Sequence, residues 1–175
     1  MSGRIVVFGY GPVGKAVTDR LAGQGREVRV AQRSAPNNLP AGVTFQRCDV
    51  LDAGEVRMAA EGAAQIVIAV GFKYDGKTWR AAWPKAMANF LAAAKATGAR
   101  VVFFDNLYMY GPQTRKLRED MALSDHGEKP AARSAATRLW KAAAEAGQVR
   151  FAALRAPDFY GPGVTLSHIG DVGFG

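Results

Sequence analysis

Short unbroken apolar runs alternate along this chain with longer stretches whose apolar residues recur every three or four positions. Ile5, Val6, Val7 and Phe8 form the first run, β-branched and continuous as in a strand buried on both faces. A helical pattern over 13–22 follows at once, and Gly23 and Gly25 mark its end. Further strands are predicted over 27–32, 43–48, 65–70, 100–105 and 149–154. Helices are predicted over 53–61 behind an Asp52 cap, over 80–97 before Gly98, and over 131–146 before Gly147. Within 80–97, Trp83, Met87, Phe90 and Leu91 make a core stripe. Pro84 lies near that helix's start, which predicts a separate or kinked first turn. The strand–helix alternation reads as an α/β fold of one domain, 1–175. Its parallel sheet should be doubly wound, with helices on both faces and strand order 3-2-1-4-5-6.

The first strand runs into Gly9, Gly11 and Gly14 at G-x-G-x-x-G spacing. Each glycine has its own mechanical job. Gly9 permits the tight turn, Gly11 clears the backbone for a pyrophosphate, and Gly14 lets helix and strand pack closely. Pro12 stands where the first helical turn begins, a place where its missing N–H costs nothing. The helix then directs free N–H groups and its positive dipole end at a phosphate. With a strand before and a helix after, the motif reads as a dinucleotide site, with Tyr10 and Val13 as its remaining members.

The end of the second strand bears on which dinucleotide. An acidic residue there hydrogen-bonds the ribose hydroxyls of NAD, whereas arginine accommodates the 2′-phosphate of NADP. This chain has Gln32, Arg33 and Ser34, with no carboxylate. Arg33 offers a bidentate guanidinium and Ser34 a hydroxyl, so NADP(H) is expected over NAD(H). Asp49 and Val50 close the third strand, and Ala69, Val70 and Gly71 the fourth. These strand-end positions complete the expected cofactor bed. Asp49 serves equally well as turn chemistry.

Composition narrows the remaining choices. Hydrophobic residues make up 49% and charged residues 22% of 175, as in an ordinary soluble domain. No apolar run approaches a membrane span and no signal peptide opens the chain, so the expected location is cytoplasmic. Cys48 is the one cysteine, which leaves no disulfide framework and no thiol metal site; it reads as a small buried residue at a strand end. The net charge of +8 comes from 23 Lys and Arg scattered singly. It reads as a solvated basic surface that partly serves an anionic cofactor, not as a nucleic-acid site. The expected partner is a small-molecule substrate, and a homodimer is left open.

Taken together, GYGPVG at the start, the strand-end Asp49, DNLYMYGP from Asp105 and LRAPDFYGPG from Leu154 resemble the extended short-chain dehydrogenase/reductase superfamily, the NAD-dependent epimerase/dehydratases. The resemblance covers nearly the whole chain. It implies a nicotinamide cofactor across the strand ends and nucleotide-sugar or other hydroxyl and carbonyl substrates. It also implies a Ser or Thr after strand five and a Tyr-x-x-x-Lys pair on the next helix, whose phenolate moves a proton. Here the Ser/Thr position is Asn106, and no tyrosine has a lysine four residues later. Counting back from Arg155, the pair best matches Ser134 and Arg138, which cannot reproduce phenolate chemistry near neutral pH. Asn106 could polarise a carbonyl, and Tyr108, Tyr74 or Lys73 could serve as proton donor. The family also carries a further C-terminal portion, so a naturally short chain or a fragment is expected. The readings are an NADP(H)-dependent oxidoreductase or epimerase-like enzyme, a non-catalytic NADP(H) sensor or scaffold, or an inactive remnant. Substrate contacts are expected in the loops 71–79 and 112–130.

Overall fold

β1 (Arg4–Phe8) is the spine of the sheet, and Ile5, Val6, Val7 and Phe8 are all buried. A computed structural model describes residues 3–157. The RAPDFYGPG segment from Asp158 onward, Tyr160 included, lies outside the described residues. From β1 the chain passes through α1 (Pro12–Gly23), β2 (Val28–Gln32), β3 (Thr44–Arg47) and α2 (Ala53–Ala59). It continues through β4 (Ala63–Ile68), α3 (Gly76–Thr97) and β5 (Arg100–Asp105), then a 3-10 turn at Tyr108–Tyr110, α4 (Glu128–Glu145) and β6 (Arg150–Arg155). All strand pairings are parallel, in the order β3-β2-β1-β4-β5-β6. This is the doubly wound order expected from the alternation.

Alternation along β1 sorts its side chains between two layers. Ile5 and Val7 join Val28 and Val67 under Val17 and Leu21 of α1. Val6 and Phe8 face the other way, into the larger core with Val56 of α2, Trp83, Met87 and Phe90 of α3, and Ala132 and Ala136 of α4. Phe8 meets Phe90 edge to face, centroids 5.0 Å apart. Both faces therefore carry helices, as predicted, though unequally: Leu154, opposite Phe104 at the sheet edge, remains 52% exposed.

Two expectations about α3 change, and β4 and α4 start two and three residues earlier than predicted. Pro84 does not divide α3, which runs unbroken from Gly76 with the proline at its ninth position. The lost N–H is outweighed by what the helix buries on either side, Trp79, Ala82, Trp83, Ala86, Met87 and Phe90. The helix also starts four residues before 80, because Asp75 accepts from the Lys77 and Thr78 amides and from the Thr78 hydroxyl. Gly76 is required there. A β-carbon on it would lie 2.5 Å from that of Glu128, so glycine lets the first turns of α3 and α4 touch.

Candidate functional site

At the carboxyl end of β1 the three motif glycines are constrained differently. Gly9 has φ +94°, and a β-carbon there would sit 2.5 Å from the Ala69 carbonyl oxygen. Gly14 is buried, and its β-carbon would collide with the Gly9 carbonyl. Gly11 is the opposite case: nothing lies within 4 Å of a β-carbon built on it. It is the N-cap of α1 and contributes no side-chain cap, Pro12 follows it, and the first turn holds no acidic residue. The helix thus presents uncapped N–H groups and its positive end beneath open space. These features fit a pyrophosphate.

The neighbouring strand ends are braced by contacts that motif reading does not supply. Gln32 Oε1 accepts from the Tyr10 amide at 2.9 Å, while its Nε2 donates to the Ser34 carbonyl at 2.7 Å. One side chain thereby ties the glycine turn to the end of β2. Tyr10 extends the brace by donating its hydroxyl to the Asn38 carbonyl at 2.9 Å. Arg33 and Ser34 stand exposed beside this network. Asp49 forms a local turn, accepting from the Leu51 amide at 2.9 Å, and Val50 is buried with its carbonyl accepting from Asn89 Nδ2. Ala69 donates its amide to the Phe8 carbonyl at 2.8 Å, which fixes the end of β4 beside the glycine turn. Val70 and Gly71 follow directly.

Past β5 the chain makes an Asx turn. Asn106 Oδ1 accepts from the Tyr108 amide at 3.2 Å and leaves its Nδ2 as the donating end. Asn106, Leu107, Tyr108, Gly111, Pro112, Pro130, Ala156 and Pro157 line a cavity of about 500 Å³. Two of the four expected catalytic residues, Asn106 and Tyr108, are therefore brought together. The other two are not. Ser134 is fully buried and donates to the Ser124 carbonyl at 2.7 Å, holding the loop before α4 against the 3-10 turn. Arg138 lies on the outside in a two-pronged pair with Asp125, at 3.0 and 2.7 Å. That pair holds the Asp125 carboxyl below its ordinary range and raises the guanidinium. Four apart on α4, the two share a face, and only the loop folded over that face decides that Ser134 is covered by Ser124 while Arg138 reaches Asp125 outside.

Asp105 and Arg155, each directly before a lining residue of the cavity, belong to a charge cluster that the sequence does not flag. Asp105 and Arg133 form an ion pair with both side chains at most 1% exposed. Arg155 approaches the other carboxylate oxygen at 3.5 Å and donates to the Tyr110 hydroxyl. Arg133 Nε and Nη1 find no hydrogen-bond partner among the described residues. Instead the guanidinium carbon lies 3.7 Å from the Trp83 ring centroid and 5.0 Å from that of Phe103. Burial pushes this guanidinium down while the Asp105 carboxylate pulls it back. A Lys or Arg at helical spacing normally reads as surface, so only packing could place this one inside.

A larger concavity, about 1130 Å³, opens at the opposite end of the sheet among Arg26, Arg57, Arg100 and Arg150. None of its described lining residues opens a helix behind a glycine turn. The carboxyl ends of the strands, where α1 begins, are the candidate site.

The NAD dependent epimerase/dehydratase family model matches residues 5–171. The chain belongs to that family. No curated protein matches it. Among solved structures it is similar to the Bordetella bronchiseptica enzyme WbmH in complex with NAD+, at 19% identity and TM-score 0.80, covering 95% of this chain and 60% of that one. WbmG of the same organism, in complex with NAD and UDP, matches at 22% identity and TM-score 0.80, covering 95% and 57%. UDP-glucose 4-epimerase from Brucella ovis, in complex with NAD, matches at 21% and 0.75, covering 88% and 51%. At such identities the likeness is one of fold. The chain spans 51–60% of the length of these three proteins. Among the described residues no helix is long and apolar enough to cross a membrane.

Proposed function

We propose that the protein binds a nicotinamide dinucleotide, NADP(H) in preference to NAD(H). We infer that it acts as an epimerase- or dehydrogenase-type oxidoreductase on a carbonyl or hydroxyl compound. The observation that carries this reading is the bare N-terminus of α1 under the open face of Gly11. Gly9, Tyr10, Gly11, Pro12, Val13 and Gly14 would hold the pyrophosphate. Asp49 and Val50 would flank the adenine, and Ala69, Val70, Gly71 and Asn106 the nicotinamide end. Arg33 and Ser34, exposed at the end of β2, would take a 2′-phosphate. When bound, the nicotinamide supplies hydride exchange. The chain's own part is to orient the substrate, with Asn106 Nδ2 donating to a substrate oxygen and Tyr108 in reach of the same cavity. The UDP in the WbmG complex and the name of the Brucella relative favour a nucleotide-linked sugar as the substrate class.

Cofactor choice is tested by Arg33→Asp. Loss of a charge-assisted phosphate contact should weaken NADPH binding by about 1.5–3 kcal/mol and change NADH binding much less. Equal loss for both, measured by calorimetry, removes the NADP(H) assignment. A second reading draws on Ser134 and Arg138, whose side chains are committed to Ser124 and Asp125. In that reading the protein is a non-catalytic NADP(H) sensor. Tight NADPH binding without turnover in a carbonyl screen followed by nicotinamide absorbance would select it.

A further inference from the structure

Three side chains from three separate segments converge at Tyr108, which lines the cavity. Tyr108 comes from the 3-10 turn after β5, Tyr74 from the loop after β4, and Lys129 from the first turn of α4. The two phenol oxygens are 2.7 Å apart. The Lys129 ammonium nitrogen lies 3.1 Å from the centroid of the Tyr74 ring. Trp79 supports both rings edge-on, at 5.6 Å from Tyr74 and 5.4 Å from Tyr108. Trp79 is itself buried, so the pair rests on the core. Gly76 makes the meeting possible by letting α3 and α4 start in contact.

We propose that Tyr108, assisted by Tyr74 and Lys129, is the acid–base group of this protein, assembled from three separate segments in place of a Tyr-x-x-x-Lys pair. This rests on the reading above that a carbonyl or alcohol substrate occupies the cavity beside Asn106. In the reducing direction a bound reduced nicotinamide would supply the hydride that the carbonyl carbon gains, and would itself end oxidised. The carbonyl oxygen takes the proton of Tyr108 Oη, so one O–H bond breaks as another forms. The Tyr108 phenolate then takes a proton from Tyr74 Oη, 2.7 Å away. Tyr74 is 47% exposed and regains its proton from water. Oxidation of an alcohol runs the same path backwards. Tyr108 is the catalytic residue. Tyr74 and Lys129 are positioning residues, the first relaying the proton and the second placing a positive charge against the phenol that carries the transient negative charge.

The test uses the full chain with Cζ-labelled tyrosine, NADPH, and a panel of aliphatic and aromatic aldehydes and ketones. Calorimetry with NADPH is the control for the cofactor reading, and Tyr108→Phe, Tyr74→Phe and Lys129→Met should all bind it within about twofold of wild type. In NMR spectra the Tyr74 and Tyr108 Cζ resonances should respond to rising pH as one coupled pair. Tyr74→Phe should uncouple Tyr108, Lys129→Met should displace both resonances, and Lys129→Arg should restore them. Tyr108→Phe should lower kcat about 100-fold or more, the usual scale of a lost acid–base group. Independent titration of the two tyrosines, or resonances indifferent to Lys129→Met, would overturn the cluster. So would NADPH binding without reduction of any panel member, or Tyr108→Phe retaining wild-type kcat. Failure of wild type to bind NADPH would instead overturn the cofactor reading, whatever the tyrosines do.

Discussion

Asp105 shows how much one buried side chain carries. Its carboxylate faces Arg133 and Arg155, and the Arg133 guanidinium also lies against the Trp83 and Phe103 rings. Removing the acid leaves a desolvated guanidinium without its counter-charge. Asp105→Asn should therefore destabilise the fold by about 3–5 kcal/mol, read from the urea midpoint at unchanged m-value. Cys48 is a contrasting residue. It is 1% exposed, and burial, reinforced by the Glu55, Asp49 and Asp52 carboxylates, pushes its thiol up from 9.0 to about 12. The neutral thiol is favoured in the fold, so its contribution is complete below pH 9 and is lost as pH rises from there toward 12. Native protein should resist alkylation at neutral pH until denaturant is added. Cys48→Ala should flatten the fall in melting temperature over that alkaline window.

At the scale of elements, helix starts decide the site more than helix interiors do. α1 begins uncapped and faces open space, whereas α3 begins under the Asp75 side chain. The Thr78 hydroxyl and amide, and then the Lys77 amide, hold the Asp75 carboxyl below its ordinary range. A depressed carboxyl stabilises the fold above its unfolded pKa and loses that contribution as pH falls through the folded value. Asp75→Ala should accordingly lower the melting temperature near neutral pH, and the gap from wild type should close below about pH 4, where the unfolded-state carboxyl is protonated. Circular dichroism melts across that range measure both effects. Because α3 starts beside Tyr74, the same substitution should broaden the Tyr74 ring signals. Preserved signals would separate the cap from the tyrosine cluster.

For the whole molecule, the parallel sheet gathers the carboxyl ends of β1, β2, β4 and β5 along one edge and leaves the arginine-lined concavity at the other. Binding at the carboxyl edge should stabilise the folded state alone. NADPH at a hundred times its Kd adds about 2.7 kcal/mol, which for a domain of this size raises Tm by roughly 5–11 °C. The arginine-lined end gains nothing from this ligand. Arg57→Ala should leave the thermal shift intact, whereas Gly11→Val, which fills the open face over α1, should abolish it while the apo protein still folds. An unchanged shift in Gly11→Val would displace the proposed site.

The sheet order, the strand cores and the glycine turn were readable from sequence because they rest on local rules. Apolar runs mark buried strands, and G-x-G-x-x-G fixes how closely a backbone can be approached. The long α3 is partly hidden, since Asp75 and Gly76 read as loop residues until Asp75 is seen capping the helix and Glu128 packed against Gly76. Asn106 and Tyr108 were legible as candidates because they follow a strand end directly. Ser134 and Arg138 were matched by counting alone, and counting does not say which way a helix faces. Tertiary packing alone could set Arg133 against Trp83, Gln32 between two loops, and Tyr74 between Tyr108 and Lys129. Each of those contacts joins residues distant in sequence, and their geometry exists only once the elements carrying them have docked.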